Sequence, residues 1–192
     1  MKTNHSGSGG MPKRNIGHVY QLDTNRINAM RKDLHVNQLE VWHKRKVIFL
    51  EMSFSAYKEA SFGSFRRNEK ASGYTWTHIN EAWPGIDEFQ KSIAEIIFPG
   101  GPRNKQEIND VTILLTAKMS FATLVTLDGG SNRQPGGMLG NADRLLSELG
   151  IRVITAEHAV DEIRACIRIR DNTARKVSAA CGRNLPKWVG KD

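Results

Sequence analysis

Four carboxylates, Asp23, Glu59, Asp110 and Asp128, stand where a folded α/β chain would bring acids together. Asp23 and Asp128 each follow an apolar strand-like run, YQL and TLVTL. Glu59 falls within the first two turns of a helical stretch behind another such run, and Asp110 opens a helix that feeds the strand before Asp128. In an open α/β sheet, ligands sit beyond the carboxyl ends of the strands at a topological switch point. Acids gathered there repel one another and raise each other's pKa unless a cation neutralises them. A hard divalent ion, Mg²⁺ or Mn²⁺, suits an all-oxygen set of this kind. Such an ion activates water and stabilises charge on a phosphodiester.

The elements that must position these acids are read from apolar periodicity and punctuation. Strands are predicted at His18–Leu22, Val47–Met52, Thr123–Leu127 and Ile151–Thr155. A helical stretch is predicted after Asp23-Thr24-Asn25 as far as Lys46, and a second, capped by Ser53, toward Arg67. Further helices are predicted at Asp87–Phe98, at Val111–Phe121 with Asn109 or Asp110 as cap, at Asn141–Leu149 closed by Gly150, and from Glu157 to Cys181 stopped by Gly182. Residues 73–85 read as irregular, and 129–140 as a Gly-rich loop. Strands that are apolar throughout and alternate with helices imply a mostly parallel sheet covered on both faces, an α/β/α sandwich. The domain reading is a flexible tail over residues 1–15 and one domain over 16–190, with a helical insertion at about 68–105.

Composition narrows the function classes. The 192 residues carry 28 Lys and Arg against 20 Asp and Glu, a formal charge of +8. The excess lies in residues 1–67 and 161–192, while the middle is mildly acidic. A basic chain holding an acidic site suits a polyanionic substrate, nucleic acid above all. Arg164 and Arg168, with Arg175, can share one face of the last helix and bind phosphates. Trp76, Trp83 and Tyr74 can stack unpaired bases or pack beneath a loop. No apolar run approaches the length that crosses a bilayer. Cys166 and Cys181 make no metal or disulfide pattern, and no leader opens the chain, so a cytoplasmic location is expected. No Walker loop or serine elbow occurs, and Asp23-Thr24-Asn25 lacks the DxD of an aspartyl-phosphate phosphatase.

Leu22-Asp23-Thr24-Asn25, Met52-Ser53 with Ala56-Tyr57-Lys58-Glu59-Ala60, Asn109-Asp110-Val111 and Leu124-Val125-Thr126-Leu127-Asp128 follow one another in an order that resembles the PIN-domain nucleases. The resemblance spans about residues 18–155. It implies a PIN-like fold and a metal-dependent endoribonuclease in which Asp23, Glu59, Asp110 and Asp128 hold Mg²⁺ or Mn²⁺. Thr24, Asn25 and Thr126 would order the acids or the scissile phosphate. The fourth acid is Asp128, or Asp143 beyond the Gly-rich segment. The resemblance further implies RNA rather than DNA as substrate, a homodimer, and an antitoxin-like or ribosomal protein partner. The alternative is a catalytically silent nucleic-acid-binding module of the same fold.

Overall fold

The computed structural model describes residues 11–27, 30–79, 83–131 and 135–192. Its centre is a sheet of five strands, β1 (Val19–Leu22), β2 (Phe49–Ser53), β3 (Thr75–Thr77), β4 (Thr123–Val125) and β5 (Val153–Ile154), in the order β3-β2-β1-β4-β5. Every pairing between neighbours is parallel. The helices are α1 (Leu34–Lys44), α2 (Phe54–Ser61), α3 (Phe65–Ser72), α4 (Ile86–Ile97), α5 (Lys105–Met119), the single turn α6 (Gly137–Gly140), α7 (Ala142–Leu149) and α8 (Ala156–Cys181).

The alternation of side chains along β1 shows how the layers form. Gln21 is buried and donates to the Ile113 carbonyl of α5 at 2.8 Å. Tyr20 turns the other way and lies in the field of Glu162 and Cys166 of α8. Helices thus cover both faces, α5 on one and α8 with α1 on the other. The core that results includes Leu22, Met52, Leu114, Leu124 and Ile163, all fully buried. An α/β sandwich with an all-parallel sheet is therefore what the apolar strands required. Among the described residues no helix is long and apolar enough to cross a membrane.

Several elements differ from the sequence reading. The stretch expected to be helical to Lys46 is a helix only over Leu34–Lys44, preceded by a 3-10 turn at Thr24–Arg26. The helix capped by Ser53 breaks after Ser61 and restarts as α3, with Gly63 in the gap. Residues 73–85 supply β3, whose three residues, TWT, are too few and too polar for periodicity to reveal. The segment 68–105 accordingly adds an edge strand to the sheet as well as α4. Helix α5 begins at Lys105, not at Asp110. Asn104 caps it by accepting from the Glu107 N–H at 3.0 Å and donating back to the Glu107 carboxylate, a reciprocal box that outcompetes a start at Asn109 or Asp110. Residues 1–10 lie outside the described residues. From there on the chain is tied down, since Arg14 pairs with the buried Asp192 carboxylate, which also meets Arg170 at 3.0 Å. The tail reading therefore does not extend over 11–15, and the domain continues to residue 192.

Ser53 joins the sheet to α2, accepting from the Ala56 N–H at 3.0 Å while fully buried. Replacing a cap hydroxyl by a methyl group costs about 1 kcal/mol. Ser53→Ala is expected to lower the urea unfolding free energy by that amount, while Ser53→Thr retains most of it. An unchanged midpoint in Ser53→Ala would show that α2 is set by packing alone.

Candidate active site

After β1 the chain leads to β2 and β3 on one side, and then crosses to β4 and β5 on the other. The switch point is thus the seam between β1 and β4, and both strands end there in polar residues. Asp23 prolongs the pairing, its N–H donating to the Val125 carbonyl at 3.0 Å. Its buried carboxylate accepts from the Thr24 N–H and from the Thr126 hydroxyl, each at 2.6 Å. Thr126 in turn accepts from the Asp128 N–H at 2.9 Å and the Asn25 amide at 3.1 Å, and Asn25 accepts from the Leu127 N–H. The ends of β1 and β4 are laced together across the seam.

Glu59 reaches this seam from α2. The Thr24 hydroxyl donates to one of its oxygens at 2.7 Å, and the Asn109 amide to the other at 2.6 Å. From α3, Arg67 donates to the Thr24 carbonyl at 2.8 Å. Asp128 accepts from the Met138 N–H at 2.9 Å across the Gly-rich loop. That approach needs glycine. Gly137 has φ +72°, and a Cβ there would sit 2.6 Å from an Asp128 carboxylate oxygen. Gly129, at φ +79°, would drive a Cβ to 1.7 Å from the Gly136 carbonyl oxygen.

Asp110, in the second turn of α5, is different. Among the described residues its carboxylate has no hydrogen-bond donor, and the charges it feels are those of Asp23, Asp128, Glu59 and Glu107, all negative. Burial, reinforced by these acids, pushes its pKa up to about 7. Burial likewise raises Asp23 to about 6, against the pull of its Thr126 and Thr24 hydrogen bonds and with help from Asp128 and Glu59.

The structure therefore brings Asp23, Glu59, Asp110 and Asp128 into one electrostatic unit, with Thr24, Asn25 and Thr126 as the groups that order them. Asp143 is exposed on α7 and takes no part in these couplings. Among the described residues, no three His, Cys, Asp or Glu side chains stand close enough to ligate a single ion as they are now turned. Asp23, Glu59 and Asp128 are turned onto their own donors instead. The donor chemistry suits a hard divalent cation, and Asp110, with no donor among the described residues, is the carboxylate that most needs one.

Arg164 and Arg168 lie on the exposed face of α8, roughly 12 and 18 Å along it from its start. Arg164 pairs with Asp161 at 3.3 Å. Neither is hydrogen-bonded to the acids among the described residues. The two basic ends of the chain do meet, through Arg14 and Arg170 on Asp192, but before the amino end of β1, at the edge opposite Asp23. They form no rim around the acids. Trp83, half-buried, packs edge-on against Phe89 at 5.5 Å, and Tyr74 is buried with its hydroxyl on Glu40, which closes Tyr74 to a base. Trp76 remains 42% exposed. A groove of about 1380 Å³ lies away from the acids, between α1 and α3, with Lys44, Lys46, Arg66 and Lys70 among its walls. Sequence reasoning passed over Arg67, which no motif marks, and took Asn109 only as a candidate helix cap within the Asn109-Asp110-Val111 stretch.

Because Asp110 and Asp23 hold protons more tightly folded than unfolded, the folded chain carries the extra protons between about pH 4 and pH 7. Stability must fall as pH rises through that window. In EDTA, Asp110→Asn is expected to flatten this fall, raising the urea midpoint at pH 8 and leaving it nearly unchanged at pH 4. Parallel pH profiles for the two proteins would remove Asp110 from the cluster.

No family model and no curated protein matches this chain. Among solved structures, the chain is similar to VapBC2 from Rickettsia felis, which was crystallised bound to a DNA fragment from its promoter. The match covers 71% of this chain and 98% of that one, at 18% identity and a TM-score of 0.45.

Proposed function

We propose that this chain is a divalent-metal-dependent endoribonuclease that hydrolyses phosphodiester bonds of RNA at the β1–β4 seam. The observation that carries this reading is Asp110, a largely buried carboxylate surrounded by other carboxylates. Folding has placed it where its charge is costly, and a cation of high charge density is the group that would make that placement favourable. Asp23, Glu59, Asp110 and Asp128 are the residues that would hold Mg²⁺ or Mn²⁺. When bound, such an ion supplies an activated water and stabilises charge building on the phosphate.

The rest of the site is positioning. Thr126 keeps Asp23 oriented, and through the Asp128 N–H it ties that acid's backbone to the same point. Thr24 and Asn109 hold Glu59 from both sides. Arg67, with its Nε buried and without a partner among the described residues and one terminal nitrogen on the Thr24 carbonyl, braces the turn that presents Asp23. The net charge of +8 favours a polyanionic substrate. RNA as that polyanion, a homodimer, and an antitoxin-like or ribosomal protein partner rest on the resemblance to PIN-domain nucleases. One observation favours a silent nucleic-acid-binding module instead: among the described residues, no three acids are turned to ligate one ion.

The two readings separate in one assay. Labelled single-stranded RNA, folded RNA and DNA are incubated with Mg²⁺, Mn²⁺ or EDTA. The wild type is expected to cut RNA only with metal. Asp23→Asn and Asp110→Asn should abolish cutting and still retain RNA on a filter. Intact substrates with wild type in every lane, with RNA still retained on the filter, would favour the silent module. Mn²⁺ is also expected to raise the melting temperature of the wild type and not that of Asp110→Asn, a readout independent of turnover. Thr126→Val, which frees Asp23 without removing an acid, should lower kcat about 10- to 100-fold with KM for RNA unchanged. A rise in KM alone would make Thr126 a substrate contact.

A further inference from the structure

The acids are not the only side chains gathered at the carboxyl edge of the sheet. β3 pairs with β2 so that Met52 faces Trp76 and Ser53 faces Thr77. β1 pairs with β2 so that Leu22 faces Met52. The residues that end β3 therefore come out level with Asp23. There they meet the first turns of α2, and four rings collect. Tyr57 and Trp76 stack with centroids 4.9 Å apart and planes 12° from parallel. Phe54 lies 4.2 Å from His78 and 5.9 Å from Trp76. The Lys58 ammonium sits 4.4 Å over the Phe54 ring.

These rings are poorly explained as core. Trp76 is 42% exposed and His78 is exposed, while Phe54 and Tyr57 behind them are half-buried. β3 is the edge strand, and α2 follows β2 directly; Tyr57 packs against the margin of the main apolar core, and Phe54 and Trp76 are not part of it. Large apolar rings left facing water cost free energy, and side chains that hold one another nearly parallel lose little further freedom when a flat group settles on them. Nucleobases are such groups. Stacking on aromatic side chains is how proteins hold unpaired bases, with a nearby cation for the backbone.

Position supplies the second argument. Lys58 and Glu59 are consecutive on α2, one turned to the rings and the other to Thr24 and Asn109. The ring cluster and the acids are thus separated by about the thickness of one helix, roughly 10 Å. A strand lying over the seam would carry its flanking nucleotides across α2 and onto Trp76.

We infer that Trp76, backed by Tyr57, Phe54 and His78 and flanked by Lys58, is a stacking platform for an unpaired base next to the scissile phosphate. This inference rests on the nuclease reading for the words "scissile phosphate", but the platform itself can be tested without cleavage. A base in a duplex is occupied on both faces and cannot use it.

The test measures binding of a fluorescein-labelled single-stranded RNA decamer by anisotropy, in EDTA, with the full chain. The probes are that strand, the same strand annealed to its complement, and a strand of equal length carrying abasic sites. Trp76→Ala is expected to weaken single-strand binding about tenfold, Trp76→Phe to restore most of it, and neither to change duplex or abasic binding. Circular dichroism melting shows whether Trp76→Ala is folded, and Trp76→Phe keeps the test decisive if it is not. Equal single-strand binding by wild type and folded Trp76→Ala overturns the platform, and so does an equal loss on all three probes, as a surface for a protein partner would give. Selective loss in Trp76→Ala, with no metal-dependent cutting by wild type, would keep the platform and end the nuclease reading. Metal-dependent cutting with unchanged KM in Trp76→Ala would do the reverse.

Discussion

Asp110 places a carboxylate in the second turn of α5, largely out of water, facing Asp23, Glu59 and Asp128. Left alone, that repulsion would push β1, β4, α2 and α5 apart, because each of those elements delivers one of the acids. What resists it is the hydrogen bonding immediately beneath. The Thr126 hydroxyl bonded to Asp23 spans the seam where the sheet changes direction, and the Asp23 N–H on Val125 extends the β1–β4 pairing past the last strand residue. Thr24 and Asn109 hold Glu59 from opposite sides, joining α2 to both the β1 turn and α5. The repulsive cluster is thus surrounded by neutral donors that fix three of its members and leave the fourth, Asp110, bearing the electrostatic cost. Asp110, though less buried than Asp23, has no such donor among the described residues, and its pKa rises further, to about 7 against about 6.

The same edge of the sheet shows why a net charge is a poor map. The basic ends of the chain come together on Asp192, and part of their charge is spent there, before the amino end of β1. The carboxyl edge instead has Arg67 against the Thr24 carbonyl and Lys58 over an aromatic ring. Both cations sit within one helix of the acids. A few placed cations near a repulsive acidic cluster guide a polyanion more locally than a diffuse field of +8 could, since surface fields are screened within about 10 Å at ordinary salt.

The Gly-rich loop and the broken helix pair solve a related geometric problem. Asp128 lies three residues beyond β4, and the Met138 N–H can reach it because Gly137 and Gly129 let two backbones approach more closely than any side chain would allow. The break after Ser61 lets α3 turn back so that Arg67 reaches the β1 turn, which one straight helix from Ser53 would have carried it past.

Much of this was legible in the residues themselves. Apolar strands without alternation, as in LVTL and VIFL, demand burial on both faces and so a parallel sheet between helices. An acid just past each such strand must emerge at the carboxyl edge, which brought Asp23, Glu59, Asp110 and Asp128 forward as a set. Helix ends marked by Ser53, Gly150 and Gly182 were equally plain, because a cap is a local hydrogen bond or a positive φ that neighbouring residues decide. What needed the tertiary structure were the contacts between segments far apart in the chain. β3 exists because β2 offered an open edge to three residues, TWT, of good strand propensity but too short a run for periodicity to mark. Asp128 rather than Asp143 joins the acids because the Gly-rich loop folds back on it. Arg164 and Arg168 fall away from the site because α8 runs down the molecule from its carboxyl edge. Trp76 stands 42% exposed on β3 while Trp83 is half-buried against Phe89, although one stretch read as irregular carries both. Local chemistry decides caps, turns and strand polarity. Which side chains share a cleft depends on packing among segments a hundred residues apart, and no spacing within the sequence encodes it.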